Sequence, residues 1–227
     1  MTERDGVDLL FSGAILLFVG FATGTIATYL SILSSNLAGA LFGASIIGFS
    51  LGVVFWLLAF FRLRRDVRVG SGRPASPKDG LDVGVGASIA LVVALIISIV
   101  GAFATGTLAV VAGSAGFAAL AVVGLLFAGA FLRIGRDLAD HVGSATTPGL
   151  RAMAFGSLLF TGGTLLLAVL TPFPAIPTTT ASGLGTLVGG VIVLLSVIGP
   201  LLWVIGGYRF RAAYRSRSST AAMAKVA

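Results

Sequence analysis

Apolar residues in this chain come in long unbroken runs rather than in the alternations of a soluble fold. Leu9–Phe61, Val83–Leu132 and Ala152–Tyr208 hold no Asp, Glu, Lys or Arg over 53, 50 and 57 residues. A helix crosses the hydrocarbon core with about 20 apolar residues, so each run is long enough to cross and return. The pattern predicts an all-α integral membrane protein of six transmembrane helices, arranged as three helical hairpins. The first hairpin is expected to rise through about Leu9–Leu33, turn at Ser34-Ser35-Asn36 and return through Leu37–Phe61. The second rises through Val83–Val110, turns at Ala112–Gly116 and returns through Phe117–Leu132. The third rises through Ala152–Leu170, turns in a proline-rich tip at Thr171–Thr180 and returns through Leu184–Tyr208. Three prolines at that tip (Pro172, Pro174, Pro177) favour extended backbone that cannot be helix. Segments 1–74, 75–145 and 146–227 would then be three hairpins of one membrane domain, the last carrying a basic C-terminal tail.

Charge orients this arrangement. All 15 Lys and Arg and all 8 Asp and Glu fall within 3–8, 62–82, 133–151 and 209–225. Paired crossings put every one of these segments on the same face. Basic residues flanking helix ends are retained on the cytoplasmic side, so both termini are expected there, in a cell membrane. Mean hydropathy of +1.08 and 10% charged residues agree, since soluble domains carry about 25%. The net charge of +7 thus concerns anionic headgroups rather than nucleic acid. Candidate lipid contacts are Arg62, Arg64, Arg65 and Arg68 after one helix and Arg209, Arg211, Arg215 and Arg217 after another. The lead-in of Glu3, Arg4, Asp5 and Asp8, net acidic rather than positive, and the length of the first apolar run do not suit a signal peptide.

The chain also repeats itself. Asp5-Gly6-Val7-Asp8 recurs as Asp79-Gly80-Leu81-Asp82, with Gly149-Leu150 as a reduced version. Phe60-Phe61-Arg62-Leu63-Arg64-Arg65-Asp66 matches Phe131-Leu132-Arg133-Ile134-Gly135-Arg136-Asp137, and Tyr208-Arg209-Phe210-Arg211 ends the third block. Phe21–Thr25 recurs verbatim as Phe103–Thr107. A threefold duplication of one hairpin accounts for these matches. Its three two-helix repeats are similar to mitochondrial carriers in count alone, because the proline–acid–base signature of that family is absent. In texture, rich in Gly, Ala, Val and Leu, without cysteine and with short Arg-bearing loops, the chain resembles uncharacterised multi-span archaeal membrane proteins. That resemblance implies no functional residues.

Candidate chemistry is sparse. The apolar runs hold no ionisable group, the usual mark of proton relays and ion paths. Ser45 and Ser157 follow small residues in the manner of nucleophiles, yet no intramembrane base stands ready to activate them. His141 lies beside Asp137 and Asp140 and would need a further ligand from Asp66, Asp79 or Asp82 to hold a metal; a solvated helix end explains it more simply. Met153 is the one remote axial-ligand candidate. No catalytic residue, cofactor or metal is therefore expected. With 32 glycines, GxxxG pairs such as Gly20/Gly24 and Gly48/Gly52 carry no statistical weight, though small residues as a class let helices approach closely. Trp56 and Trp203, with Phe60, Phe61, Tyr208, Phe210 and Tyr214, read as membrane-interface anchors. Pro200 interrupts the last helix. The function expected is a non-catalytic scaffolding, accessory or assembly subunit of a larger membrane complex, its partners lipids and other membrane subunits or further copies of itself. The alternative is a channel for a small neutral solute, lined by Thr23, Thr25, Thr28, Ser31 and Thr105.

Overall fold

The structure is a computed structural model, and it describes residues 4–30, 35–71, 80–142, 144–172 and 183–223. Six long helices account for nearly all of them: α1 (Arg4–Leu30), α2 (Ser35–Ser71), α3 (Gly80–Phe103), α4 (Gly106–Val142), α5 (Thr147–Leu170) and α6 (Gly183–Met223). A short 3-10 turn, Ser144–Thr146, joins α4 to α5. Each of the six contains a stretch long and apolar enough to cross a membrane: Gly6–Ala27, Gly39–Arg65, Gly80–Gly101, Gly106–Arg136, Thr147–Leu170 and Gly190–Ser216. Large side chains such as Ile47, Leu108, Phe155 and Leu194 point outward and are more than half exposed. That surface suits lipid as its solvent, and the molecule has the build of a multi-pass membrane protein.

Broad packing joins α1 to α2, α3 to α4, α4 to α5 and α5 to α6; α6 returns against α1, and the α2–α3 contact is thin. Small residues set the register. On α1, a Cβ added to Gly6, Gly13 or Gly20 would meet Leu63, Trp56 or Phe49 of α2. On α5, a Cβ on Gly149, Gly156 or Gly163 would meet Phe210, Trp203 or Ser196 of α6. Gly80 lies against Ile134 and Gly101 against Gly113, and between those glycines Ala87 and Ala94 are fully buried. Steps of seven on one helix thus face steps of seven on the next, the period of close antiparallel packing with a left-handed twist. Polar side chains reinforce it in places. Ser45 Oγ donates to Gly20 O at 2.6 Å, and Thr161 Oγ1 reaches Ala121 O at 3.3 Å.

Three expectations change. The second turn lies at Ala104-Thr105, not at Ala112–Gly116: Gly106 takes a φ of +60°, which L side chains rarely adopt, and α4 runs on through Gly113-Ser114-Ala115-Gly116. The glycines expected to turn are instead packing positions, Gly113 against Gly101 and Gly116 against Ser98. Consequently Phe21–Thr25 lies inside α1 while Phe103–Thr107 spans a turn, so the repeated pentapeptide does not mark equivalent places. The returning helices also outrun their apolar blocks, reaching Ser71, Val142 and Met223. Ser34 and the tip from Phe173 to Thr180 lie outside the described residues.

The aromatic anchors are corrected as well. Trp56, Trp203, Phe60 and Phe210 are at most 2% exposed; only Phe61 and Tyr208 keep the exposure of belt residues. Trp56 sits 4.8 Å from Phe127, 5.0 Å from Trp203 and 5.7 Å from Phe131, ring to ring. Phe160 bridges Trp203 to Phe21 at 5.3 and 5.0 Å. Burying an indole demands a partner for its N–H. Trp56 Nε1 donates to Leu10 O and Trp203 Nε1 to Ser157 Oγ, both at 2.9 Å. Gly13 and Gly156, which lack a side chain beside these indoles, make the room.

Candidate functional site

Two regions bear on function: the interior of the bundle and its charged end.

The interior is closed by rings where the Trp residues meet. Above them, between the first two helix pairs, lies a cavity of about 370 Å³ lined by Phe21, Phe42, Ser45, Phe49, Ser98 and Leu120, among others. Its two hydroxyls are already engaged, Ser45 with Gly20 O and Ser98 Oγ with Ala94 O at 2.8 Å, so the lining presents hydrocarbon. None of the candidate path residues lines it. Thr23 Oγ1 donates back to its own helix, to Val19 O at 2.7 Å and Gly20 O at 3.1 Å. Thr25 is half-buried and Thr105 stands exposed in the α3–α4 turn. The side chain of Thr28 and all of Ser31 lie outside the described residues.

Ser157, read as a nucleophile beside glycine, donates to Met153 O at 3.0 Å while accepting from Trp203. Met153 is fully buried against Gly206. Pro200 is buried within α6. The side chains of Asp66, Asp137, Asp140 and His141 are outside the described residues, as is Asp79. Among the described residues no three metal-ligating side chains gather.

At the charged end, acids and bases from different helices meet. Arg64 on α2 pairs with Asp82 on α3. Arg211 Nε donates to Asp8 Oδ1 at 2.6 Å and Arg215 Nη2 to Asp8 Oδ2 at 2.7 Å, tying α6 to α1. The Arg211 guanidinium also lies 5.1 Å over the ring of Phe11. Three of the eight candidate lipid arginines are therefore held by carboxylates of the same chain. Arg62 is half-buried, Arg65 and Arg209 are exposed, and the side chains of Arg68 and Arg217 are not described. Sequence reasoning missed Asp8 and Asp82 as cross-helix partners. The signal was present, since each follows a Gly by two residues at the start of a helix, but only the packing of α6 on α1 says which arginine it meets. Comparison with family models, curated proteins and solved structures gives no match.

Proposed function

We propose that the chain is a non-catalytic integral membrane protein that scaffolds or assembles a larger membrane complex, built from three copies of one helical hairpin with both termini cytoplasmic. The observation that carries the functional part is the ring-filled interior. Trp56, Phe127 and Trp203 come together from α2, α4 and α6, with Phe160 from α5 against them. A bundle whose helices converge on packed rings is rigid where a conduit needs space, and its outward faces are left for lipid and partners.

The register supports the threefold part. Gly6, Gly80 and Gly149 begin equivalent stripes of small residues, and Leu63, Ile134 and Phe210 are their partners on the returning helices. Trp56, Phe127 and Trp203 then hold the same place in each copy. The arginines Arg62, Arg133 and Arg209 fall in line at the other ends, which favours one membrane face for all three.

Flux and assembly measurements separate this from the channel reading. Proteoliposomes holding the purified chain should be no more permeable to glycerol, urea or water than empty liposomes. In native membranes, deleting the chain should shift or abolish at least one large complex on a non-denaturing gel, and re-expression should restore it. Solute flux above the empty-liposome control, with every complex unchanged, would replace the scaffold by the channel.

A further inference from the structure

In two places, the charged end joins one helix pair to the next by an ion pair of fixed register, and in the third it does not. Asp8 and Asp82 stand two residues after Gly6 and Gly80; Arg211 and Arg64, which pair with them, stand one residue after Phe210 and Leu63. The same positions at the α4–α5 junction are Arg151, two after Gly149, and Gly135, one after Ile134. The carboxylate has become a cation and the arginine has vanished. Among the described residues Arg133, Arg136 and Arg151 have no ion-pair partner, and all three are exposed. Arg136 and Arg151 follow Gly135 and Leu150, which face each other across the junction: a Cβ placed on Gly135 would lie 3.8 Å from Leu150 Cβ.

We propose that this junction binds the phosphate headgroup of one anionic lipid between Arg136 and Arg151, the lipid supplying the negative charge that Asp8 and Asp82 supply at the other two junctions. The surface below fits the rest of the lipid. Leu132 lies one turn inward of Arg136 and Phe155 one turn inward of Arg151, 45% and 57% exposed, giving acyl chains an apolar wall directly under the cations. A free phosphate ion would have no use for that wall. The comparison of junctions rests on the threefold register proposed above, and the test below treats the two separately.

The full chain, purified in a neutral detergent, is titrated with phosphatidylglycerol, phosphatidylcholine or inorganic phosphate, following bound lipid by native mass spectrometry and the thermal midpoint. Phosphatidylglycerol should remain bound and raise the midpoint; the other two should not. Each near-surface charge contributes about fivefold in affinity, so R136Q/R151Q should weaken phosphatidylglycerol binding about 25-fold with an unchanged lipid-free midpoint. R62Q/R209Q, which removes equal charge elsewhere on the rim, should weaken it less than fivefold. Equal losses in the two double variants, or an equal effect of inorganic phosphate, overturn the lipid site. G135R/R151D tests the register: it should raise the lipid-free midpoint and remove the response to phosphatidylglycerol. A lowered midpoint in that variant counts against the threefold register, while loss of binding in R136Q/R151Q would still stand for the site.

Discussion

Gly149→Ala isolates what holds α5 on α6. A Cβ on Gly149 would lie 2.6 Å from Phe210 N and 2.7 Å from Gly206 O. Both neighbours are backbone, so no rotamer change relieves them. To bring the nearer one out to the 3.4 Å of ordinary contact, the helices must part by about 0.8 Å, which loosens every contact along the seam. Overpacking of this kind costs roughly 1–3 kcal/mol, and the backbone clash puts this site in the upper part of that range. The better helix propensity of alanine returns about 1 kcal/mol, leaving a net loss of about 1–2 kcal/mol. Two glycines calibrate the scale. Gly86 has nothing within 4 Å of an added Cβ, so Gly86→Ala keeps the propensity gain alone. Gly6 faces Leu63 Cγ at 3.0 Å, a side chain that can move, so Gly6→Ala should come out near zero. SDS titration of the protein in mixed micelles, followed by fluorescence of the two buried tryptophans, gives the three midpoints. The expected order is Gly86→Ala, Gly6→Ala, Gly149→Ala from most to least stable. If Gly149→Ala unfolds with Gly86→Ala, close glycine-mediated approach is not what seats the helices.

Trp203→Phe removes the indole N–H that Ser157 Oγ accepts and should cost roughly 0.5–1.5 kcal/mol in the same titration. Trp56→Phe should cost less, because Leu10 O remains within the hydrogen bonding of its own helix; a larger loss at Trp56 would contradict that account. Asp8→Asn and Asp82→Asn each weaken the hold of a carboxylate on arginine across a helix junction and should each destabilise by no more than about 1 kcal/mol at these partly exposed sites. Added salt should shrink both effects, and the swap R64D/D82R should recover more stability than the two single changes predict together. Cysteine labelling tests the sidedness: Thr105→Cys should react from outside and Ser114→Cys should not, since Ser114 lies about 12 Å along α4 from its start. Ser35→Cys and Thr179→Cys should label from outside, and Ser76→Cys, Ser144→Cys and Ser218→Cys only after permeabilisation; labelling of Ser76→Cys in intact cells would invert the topology.

Six apolar helices were legible because membrane insertion is written in composition: a run such as Val83–Leu132 has no charge to interrupt it. The ends of the helices were less legible. A glycine cluster at 112–116 and a lone Gly106 look alike in sequence, and only a positive φ distinguishes the glycine that turns the chain from the glycines that pack it. The tryptophans were misplaced for a related reason. An aromatic residue shortly before an arginine suits the interface whether or not a neighbouring helix covers it, and what covers Trp56 comes from α1, α4 and α6. Of the threonines expected to line a path, Thr23 donates its hydroxyl to its own backbone, as hydroxyls within apolar surroundings commonly do, and residue type alone does not signal that choice.

Matches of short words between blocks, such as Asp-Gly-x-Asp and Phe-Ala-Thr-Gly-Thr, are uneven guides, since the second falls inside α1 in one copy and across the α3–α4 turn in the other. The better signal was a size pattern. Gly6, Gly13 and Gly20, then Gly80, Ala87, Ala94 and Gly101, then Gly149, Gly156 and Gly163 space small residues by seven on α1, α3 and α5. Chance gives many glycine pairs in a chain this rich in glycine, which is why GxxxG counts said nothing. Chance does not require that each of these residues be the one whose Cβ, present or added, meets the next helix, while Gly39, Gly43 and Gly129 meet nothing. Packing thus separates glycines by role where counting cannot. It also brings the third helix pair into the proposed register, where divergent wording had left Gly149-Leu150 and Tyr208–Arg211 as its traces. Under the proposed threefold register Arg151 takes the place of Asp8 and Asp82, a correspondence that the small residues reveal and the verbal matches do not.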